Sequence, residues 1–432
     1  MYIAIISSLL AIIFCEVKYC MIKVIYYIVF YITLTYGLFF LVTGFFGFSK
    51  KGSKRISNHK AKTRFAIIIA ARNEAQVIGN LIKSLKNQNY PKDSYKIFVV
   101  PNNCTDNTAA VSKKYGASII PCEIPVKTKG EVLKHIFGKF EGNNDFDAFA
   151  IFDADNIVDP NFLKEMNNAM LSGFNVAEGN RDSKNATDNW LSGSYSLFYY
   201  MQNFFFNKAR MNMGLSSTIN GTGFVIKKTV IEKYGFNPLT LTEDSEFAAQ
   251  CSLNGEKIAY VEKAITYDEH PIKFKDSWNQ RKRWSKGCLQ NFRIYGSRLI
   301  KNAVINNNMS SLDMFMMFAA PIMQVVATIL SFVLLEFKYL GVELFDLFSY
   351  IFASGIVFFL AMYVIGIITN IFVYKINKQK LSEVLSSVFL FALFIATWIP
   401  INIICMIKKD ITWKPILHTR NVDVKELLSK NN

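Results

Sequence analysis

The sequence predicts an α/β domain built on a mostly parallel sheet and flanked by transmembrane helices. Three observations predict this fold class. Long apolar stretches stand on both sides of the middle of the 432-residue chain. Short apolar strands alternate with helical segments between them, and acidic residues follow directly after several strands. Strand–helix alternation of this kind is typical of parallel sheets covered by helices.

Four apolar stretches are long enough to cross a bilayer, which takes about 20 residues of helix. They are residues 24–48, 314–335, 347–374 and 384–407. Residues 1–15 are apolar but short, and they are interpreted as a further span, as an interfacial segment, or as untranslated if synthesis begins at Met21. No basic residues precede that run and no small-residue cleavage site follows it, which argues against a cleaved signal peptide.

The formal net charge is +16, and basic residues cluster beside the apolar stretches, as in Ser-Lys-Lys-Gly-Ser-Lys-Arg at 49–55. This positive-inside pattern predicts an integral protein of a bacterial-type cell membrane, with the 49–300 region in the cytoplasm next to anionic lipid. No nucleic-acid-binding module accompanies the charge, so nucleic acid is not an expected partner. The seven cysteines are scattered, which favours free thiols in a reducing compartment.

The chain is expected to divide into six parts. They are membrane segments at 1–48, a basic linker at 49–63, the α/β domain at 64–293, an amphipathic interfacial segment at 294–312, transmembrane helices at 313–407 and a basic tail at 408–432. Three C-terminal spans would leave the tail outside, whereas its lysines and Arg420 favour the inside. Pro400 can mark a broken or re-entrant helix, so the sequence leaves the side of the tail open.

The strands of the α/β domain are predicted at 65–70, 97–100 and 148–152. A helix with an apolar face follows the first strand, between Val77 and Leu85, and residues 103–108 offer helix N-caps after the second. Ligands of parallel sheets bind beyond the carboxyl ends of the strands. Four polar side chains fall at such ends and predict a nucleotide site: Asn102, Asp106, Asp153 and Asp155.

Asp153 and Asp155 are candidate metal ligands. Mg²⁺ or Mn²⁺ bound to a nucleotide diphosphate needs only one or two protein carboxylates, because the phosphates supply the other oxygens. Acidic residues after strands are, however, commonly turn formers, and this is the more frequent meaning of an isolated Asp-x-Asp. Asp159 is predicted to be such a residue, a helix cap with Pro160 at the first helical position.

Thr242-Glu243-Asp244 offers a candidate base. Transfer of a sugar with inversion needs one base for the acceptor hydroxyl, and Asp244 is assigned that role. The segment also has the pattern of a helix start, because Thr240 and Glu243 have capping-box spacing. The two interpretations are compatible with each other.

Gln280, Arg283 and Trp284 stand at i, i+3 and i+4, so they share one face of a predicted helix. A guanidinium suits a diphosphate, and an indole ring suits the apolar face of a sugar. Arg281 and Lys282 point elsewhere and are expected to meet lipid headgroups. The alternative is a basic helix lying on the membrane surface, which is the commoner meaning of such a run.

Two loop segments are weaker candidates. Lys129 before Gly130 can bring a cation and close backbone approach to a phosphate, although a plain turn is the commoner meaning of this pair. Gly221 and Thr222 belong to a flexible Asn-Gly-Thr-Gly loop before a strand at 224–226. That loop is interpreted either as a turn or as a segment facing the acceptor.

Together these motifs resemble the membrane-embedded family 2 glycosyltransferases, the group with hyaluronan, chitin, cellulose and poly-N-acetylglucosamine synthases. The four motifs occur in the family's order, which is more specific than any one of them. The segment Trp-Lys-Pro-Ile-Leu-His-Thr-Arg at 413–420 is similar to the tail of bacterial members. One departure is Asn102, where the family usually has an aspartate that binds uracil; an amide oxygen can still accept from the ring N–H.

The resemblance implies a GT-A fold, which is Rossmann-like, and an inverting mechanism. It implies that Asp153 and Asp155 bind the metal and the donor diphosphate and that Asp244 is the base. The expected donor site comprises Asn102, Asp106, Lys129, Asp153, Asp155, Gln280 and Arg283. The expected acceptor site comprises Trp284, Glu243, Gly221 and Thr222.

The leading hypothesis is a metal-dependent hexosyl- or N-acetylhexosaminyltransferase that moves a sugar from a UDP-sugar to a growing polysaccharide. A second hypothesis is a single transfer to a lipid or lipid-linked acceptor. A third is a non-catalytic scaffold of an envelope-polysaccharide complex. Product length separates the first two, and metal-dependent donor binding argues against the third.

Overall fold

The computed structural model describes residues 24–25, 27–339, 360, 362–408 and 420. Its centre is an eight-stranded sheet in the order β3-β2-β1-β4-β7-β6-β8-β5. The strands are β1 (Phe65–Ala71), β2 (Tyr95–Pro101), β3 (Ser118–Ile119), β4 (Ala148–Asp153), β5 (Ile157–Val158), β6 (Val176–Ser183), β7 (Phe224–Lys227) and β8 (Ile258–Asp268). β1 is parallel to β2 and β4, and β6 to β8, while β7 is antiparallel to both neighbours. The predicted mostly parallel α/β fold is confirmed.

β1, β2 and β4 form the parallel centre of the sheet. Their continuous apolar runs are buried because helices cover both faces of the sheet. Ile67 of β1 pairs with Ile97 of β2 on one side and with Ala150 of β4 on the other. This register brings the carboxyl ends of all three strands to one edge, where polar side chains can meet.

The helices enclose the sheet and extend beyond it. They are α1 (Tyr27–Phe48), α2 (Ile78–Lys86), α3 (Thr108–Lys114), α4 (Lys129–Lys139), α5 (Phe162–Leu171), α6 (Trp190–Met201), α7 (Ala209–Met213), α8 (Lys228–Tyr234), α9 (Glu243–Leu253), α10 (Phe274–Ile305), α11 (Met309–Tyr339), α12 (Met362–Ile376), α13 (Leu385–Ala396) and α14 (Trp398–Ile407). α2 and α5 bury Leu81 and Met166 against one face. α4, α9 and α10 bury Leu133, Phe247 and Leu299 against the other.

One predicted helix start is wrong. α5 begins at Phe162, not at Pro160. The Asp159 side chain accepts the backbone N–H of Asn161 at 2.8 Å, and its carbonyl accepts that of Phe162 at 3.1 Å. These two bonds form a turn that contains Pro160 and delay the helix by two residues.

Three described helices are long and apolar enough to cross a membrane. They are Tyr27–Phe48, Met309–Leu330 and Leu385–Ile407, and they correspond to three of the four predicted stretches. The fourth, 347–374, is described only in part, within the shorter apolar helix α12. Residues 1–15 lie outside the described residues.

A buried ion pair fixes α11 to the domain. Arg210 at α7 is 0% exposed and Asp313 near the start of α11 is 3% exposed, and their nearest atoms are 2.9 Å apart. The guanidinium also lies 3.9 Å from the ring centre of Phe206. Removing one partner of such a pair costs about 3–5 kcal/mol, because the other charge stays buried without compensation.

Helix α10 runs without interruption from Phe274 to Ile305. The predicted boundary between residues 293 and 294 falls inside it. The polar segment after 293 is therefore the second half of the helix that also carries Gln280, Arg283 and Trp284.

The last apolar segment is divided into α13 and α14 at Thr397, three residues before Pro400. Both halves contact the domain. Tyr374 at the end of α12 and Ser387 of α13 bond to each other beside Gly193 of α6, and Lys286 of α10 donates to the carbonyl of Cys405 in α14 at 3.0 Å.

Arg420 in the basic tail also lies against the domain. Arg420 donates from its backbone N–H to the Glu269 carboxylate at 3.2 Å and pairs through its guanidinium with Asp188. The tail therefore reaches the side of the molecule that the α/β domain occupies.

Candidate active site

A cavity of about 870 Å³ joins the carboxyl edge of the sheet to the space between the membrane helices. All of the predicted site residues line it except Asp106 and Thr222. Residues of α1, α11 and α14 line the remainder, among them Tyr36, Gln324 and Asn402. The predicted donor and acceptor residues are thus brought together beside the spans.

The end of β4 supplies the acidic turn of the cavity. Asp153 is the last residue of β4 and Asp155 lies in the turn that follows. Lys129, the first residue of α4, donates to Asp153 Oδ1 at 2.5 Å and to the Gly221 carbonyl at 2.6 Å. Burial opposes protonation of Lys129, but the nearby carboxylates outweigh it and raise its pKa. A cation at a helix N-terminus is suited to binding phosphate.

Two charged residues of the cavity wall escaped the sequence analysis. Arg181 of β6 donates from Nε to Asp268 at the end of β8 (2.9 Å) and from Nη1 to the Asn220 carbonyl (2.7 Å). Burial opposes ionisation of Asp268, but Arg181 outweighs it and holds the pKa of Asp268 below its usual range. Asp268 ends a strand just as Asp153 does, so recognition of β8 would have revealed it.

Glu243 and Asp244 begin α9 and face the cavity. The predicted helix start is confirmed, but the predicted capping box is wrong, because the Glu246 carboxylate accepts the backbone N–H of Thr240 at 2.8 Å. Burial raises the pKa of Glu243 and Asp244, and the charge of Arg283 partly offsets this effect. A raised pKa makes a carboxylate a stronger base.

The Asn-Gly-Thr-Gly loop has two faces. Gly221 has a φ of +85°, and a Cβ there would lie 3.1 Å from Asp244 Oδ2, so the backbone needs glycine beside the candidate base. Thr222 points away from the cavity, which corrects its predicted contact with the acceptor. Its Oγ1 accepts the backbone N–H of Asp153 at 2.9 Å and bonds to Asn156. Thr222 therefore fixes the end of β4.

Of the two predicted residues after β2, one lines the cavity. Asn102 is on the wall, and its amide nitrogen donates to the Ala71 carbonyl at 3.2 Å, which directs the amide oxygen to other donors. Asp106 is not on the wall, contrary to prediction. Its carboxylate accepts backbone N–H groups of Ala75 (3.1 Å) and Thr108 (3.0 Å), so it ties the loop between β1 and α2 to the start of α3.

Helix α10 forms the side of the cavity opposite the sheet edge. Arg283 donates to the Leu241 carbonyl at 3.0 Å, next to the acidic pair. The Trp284 ring stacks on Trp398 of α14, with centres 6.4 Å apart and planes at 23°. Gly287 allows α10 to approach this closely, because a Cβ there would overlap the Thr242 side chain.

The expectation for Arg281 is wrong. It does not reach lipid headgroups but is 0% exposed. Nη1 donates to the Phe394 carbonyl (3.0 Å) and to Thr397 Oγ1 (2.6 Å) at the break between α13 and α14. The basic run of α10 is therefore only partly a surface feature.

The acidic residues fit a divalent cation. The Asp155 and Asp268 carboxyl groups contact each other, and Asp155 Oδ2 accepts the backbone N–H of Glu269 at 3.3 Å. With Asp153 they offer hard oxygen donors, which Mg²⁺ and Mn²⁺ prefer. Within the described ranges no group of three or more His, Cys, Asp or Glu side chains is arranged to hold an ion by itself. Phosphate oxygens of a bound nucleotide would complete the coordination.

This sheet, with an acidic turn after its central strand and a Rossmann-like parallel half, is the GT-A architecture of nucleotide-sugar glycosyltransferases. The profile of Glycosyltransferase like family 2 matches residues 63–287, more than half of the chain, and the chain belongs to this family.

Similar proteins agree with this assignment. The chain is 28% identical over 275 residues to the probable glycosyltransferase YdaM of Bacillus subtilis, covering 60% of this chain and 63% of that protein. It is 24% identical over 261 residues to beta-monoglucosyldiacylglycerol synthase of Nostoc sp., covering 58% and 54%. The chain thus spans between about half and two thirds of these relatives.

The fold is shared with a solved structure, the mannosyltransferase PcManGT from Pyrobaculum calidifontis in complex with GDP-Man and Mn²⁺. The alignment covers 88% of this chain and 100% of that one, with a TM-score of 0.56 and 13% identity. Because the identity is low, this likeness concerns the fold.

Proposed function

We propose that this protein is an inverting, metal-dependent glycosyltransferase of the cell membrane. It moves a sugar from a nucleotide diphosphate, a UDP-sugar above all, to a growing polysaccharide, with its α/β domain in the cytoplasm. One observation carries the proposal: Asp244, the Asp153–Asp155 turn and Arg283 face one cavity, and that cavity continues between the membrane helices.

The donor binds along the sheet edge. The amide oxygen of Asn102 accepts the N–H of the uracil ring, as an aspartate would. Lys129 and Arg283 approach the diphosphate from two sides, and a guanidinium can contact two phosphate oxygens at once. Asp153, Asp155 and Asp268 would hold a Mg²⁺ or Mn²⁺ ion. When bound, that ion neutralises charge on the departing diphosphate.

Asp244 acts as the base. Its carboxylate takes the proton of the acceptor hydroxyl while the oxygen forms a bond to the anomeric carbon. The bond from that carbon to the diphosphate oxygen breaks on the opposite face, and the nucleotide diphosphate leaves with the electron pair. Glu243 lies beside Asp244 at the start of α9, and burial raises the pKa of both carboxyl groups, which makes Asp244 a stronger base for the acceptor proton.

The cavity wall supports a saccharide acceptor. Trp284 and Trp398 present stacked rings on the wall of the cavity that Asp244 also lines. Deeper between the spans, Asn402 Nδ2 donates to Gln324 Oε1 at 2.7 Å, and both residues line the cavity. Polar side chains inside a membrane region usually mark a substrate path. A growing chain of sugars would find both ring faces and hydrogen-bonding groups along this path.

A second candidate is a single transfer to a lipid acceptor. It is favoured by the apolar wall that Ala320, Met323 and Ala327 of α11 contribute to the same cavity, because an acyl chain would pack there. The Nostoc relative is named for a glycolipid product, which is consistent with this candidate.

The test uses inside-out membrane vesicles and a panel of radiolabelled UDP- and GDP-sugars. One sugar nucleotide is expected to release its nucleotide diphosphate with Mg²⁺ or Mn²⁺, and release should stop with EDTA. A ladder of labelled products on a sizing column supports the polysaccharide, and a single product in the organic phase supports the lipid. Absence of release from every donor would contradict the proposed function.

A further inference from the structure

Helix α13 ends with a carbonyl group that the break leaves without its usual partner. In a continuous helix the Phe394 carbonyl would accept the N–H of the fourth residue onward. At Thr397 the regular helical hydrogen bonding of α13 ends, and α14 begins at the next residue. The Phe394 carbonyl instead accepts Thr397 Oγ1 at 2.7 Å and Arg281 Nη1 at 3.0 Å. Arg281, a residue of α10, therefore supplies a hydrogen-bond donor to the C-terminal end of α13.

Arg281 is held in an aromatic and polar enclosure. Its guanidinium carbon lies 4.4 Å from the ring centre of Phe394, 5.7 Å from that of Trp398 and 6.0 Å from that of Phe274. Nε donates weakly to the Ser277 carbonyl at 3.4 Å. A planar guanidinium can stack on rings and donate in its plane at the same time, which an ammonium cannot.

The break lies at the cavity wall. Trp398, the first residue of α14, stacks on Trp284 and also on Phe198, whose ring centre is 6.1 Å away. All three rings line the cavity. The position of α14 after the break therefore determines where the Trp398 ring lies relative to the Trp284 ring.

We propose that Arg281 is a positioning residue, which holds the broken C-terminal helix against α10 and so sets Trp398 beside Trp284 as a second ring for the acceptor. The acceptor role of these rings rests on the proposed function; the placement of α14 by Arg281 does not. The occupant of the ring pair is the hydroxyl-bearing acceptor, in contact through its apolar face.

The first experiment measures the position of α14 relative to α10 and does not depend on sugar transfer. Ser285 of α10 and the native Cys405 of α14 are within hydrogen-bonding reach, so Ser285→Cys gives a pair that can be trapped as a disulfide by copper phenanthroline and mapped by mass spectrometry. Trapping is expected to slow about tenfold when Arg281→Lys or Thr397→Val is added. Thr397→Ser should restore it, because it keeps the hydroxyl.

The second experiment measures coupling in full-length protein in nanodiscs, with the active sugar nucleotide and either a disaccharide of the transferred sugar or dioleoylglycerol. Arg281→Lys, Thr397→Val and Trp398→Ala are expected to raise the acceptor KM about tenfold, with the donor KM unchanged. Arg293→Lys, an exposed arginine on the same helix, is the matched control and should behave like the wild type.

The outcomes separate the two claims. Unchanged trapping in Arg281→Lys and Thr397→Val overturns the positioning role. Slower trapping with an unchanged acceptor KM overturns the role of Trp398 as an acceptor ring. A wild-type protein without any transfer refutes the proposed function, and the trapping rates then still decide whether Arg281 places α14.

Discussion

At the residue scale, the acidic pair at the start of α9 contains the proposed base of the cavity. Asp244 is crowded by the glycine loop at Gly221 and is buried, which raises its pKa. Lys129 and Arg283 lie near enough to keep part of its charge. A carboxylate with a raised pKa is, in its deprotonated form, a stronger base than an exposed aspartate.

Asp244→Asn is expected to lower kcat by at least about 100-fold, the usual range for loss of a general base. The amide has the same shape but cannot take a proton, so binding of UDP should change little. Initial rates of transfer and a UDP titration by calorimetry check this. Asp145→Asn, at an exposed loop position, is the control, and equal rates in the two variants would remove Asp244 from the mechanism.

The pH dependence follows from the same burial. A base works in its deprotonated form, so transfer is present above the pKa of Asp244 and is lost as the pH falls through it. Because that pKa is raised, the acid limb of kcat is expected above the ordinary aspartate value of about 3.9. A profile of kcat from pH 4 to 9 with saturating donor measures it. A flat profile down to about pH 4 would speak against Asp244 as the base.

At the element scale, close packing of α10 on the loop before α9 aligns the two halves of the site. Gly287 lies against Thr242, and Asn291 donates to Thr242 Oγ1 at 3.1 Å. The helix that carries Arg283 and Trp284 is thereby fixed to the segment that carries Asp244.

Gly287→Ala is expected to destabilise the protein by about 1–3 kcal/mol through overpacking and to lower kcat, because the added methyl group pushes α10 away from Thr242. Thermal unfolding in detergent and transfer rates check both effects. Gly296→Ala on the same helix is the control. Its nearest neighbours would lie 3.7 Å from the new carbon, and alanine favours helix, so it should match or exceed the wild type in stability.

Short buried strands and strand-end carboxylates could be predicted from the sequence because their signals are local. β1, β2 and β4, and with them Asp153 and Asp155, are of this kind. Arg181 and Asp268 are evident from the sequence only if β6 and β8 are recognised as strands, and the charged residues of those strands obscure them. The ion pair also joins positions 87 residues apart, which no local pattern reveals. The capping box failed for a similar reason, since Glu246 competes for the same backbone N–H groups.

At the scale of the whole molecule, the C-terminal half returns repeatedly to the α/β domain. The basic turn after α12, the break in α13–α14 and Arg420 all lie near it. The segment 385–407 is long and apolar enough to cross a membrane, but these contacts favour an arrangement with both of its ends on the side of the domain, in which the lysines of the tail obey the positive-inside rule.

Lys380→Cys and a C-terminal epitope tag are therefore expected on the same side of the membrane as Lys60→Cys in the domain linker. The accessible side of each position is measured in inside-out and right-side-out vesicles. The cysteines are labelled with a membrane-impermeant maleimide, and the tag is digested with a protease. The labelling of the native cysteines, measured in the protein without added cysteines, is subtracted. A tag cut from the opposite side would mean that the segment 385–407 crosses the bilayer.

Pro321 in α11 has no N–H to offer the carbonyl of Met317, and the Cys288 thiol of α10 donates to that carbonyl instead, at 3.8 Å. A candidate membrane helix and a helix of the candidate active site are thus joined at a point where the first is easily bent. A thicker or thinner bilayer changes the tilt of its helices. Acyl-chain length in the host membrane should consequently change the turnover rate. A cell that adjusts its acyl chains to keep its membrane fluid would then also change the rate of this enzyme.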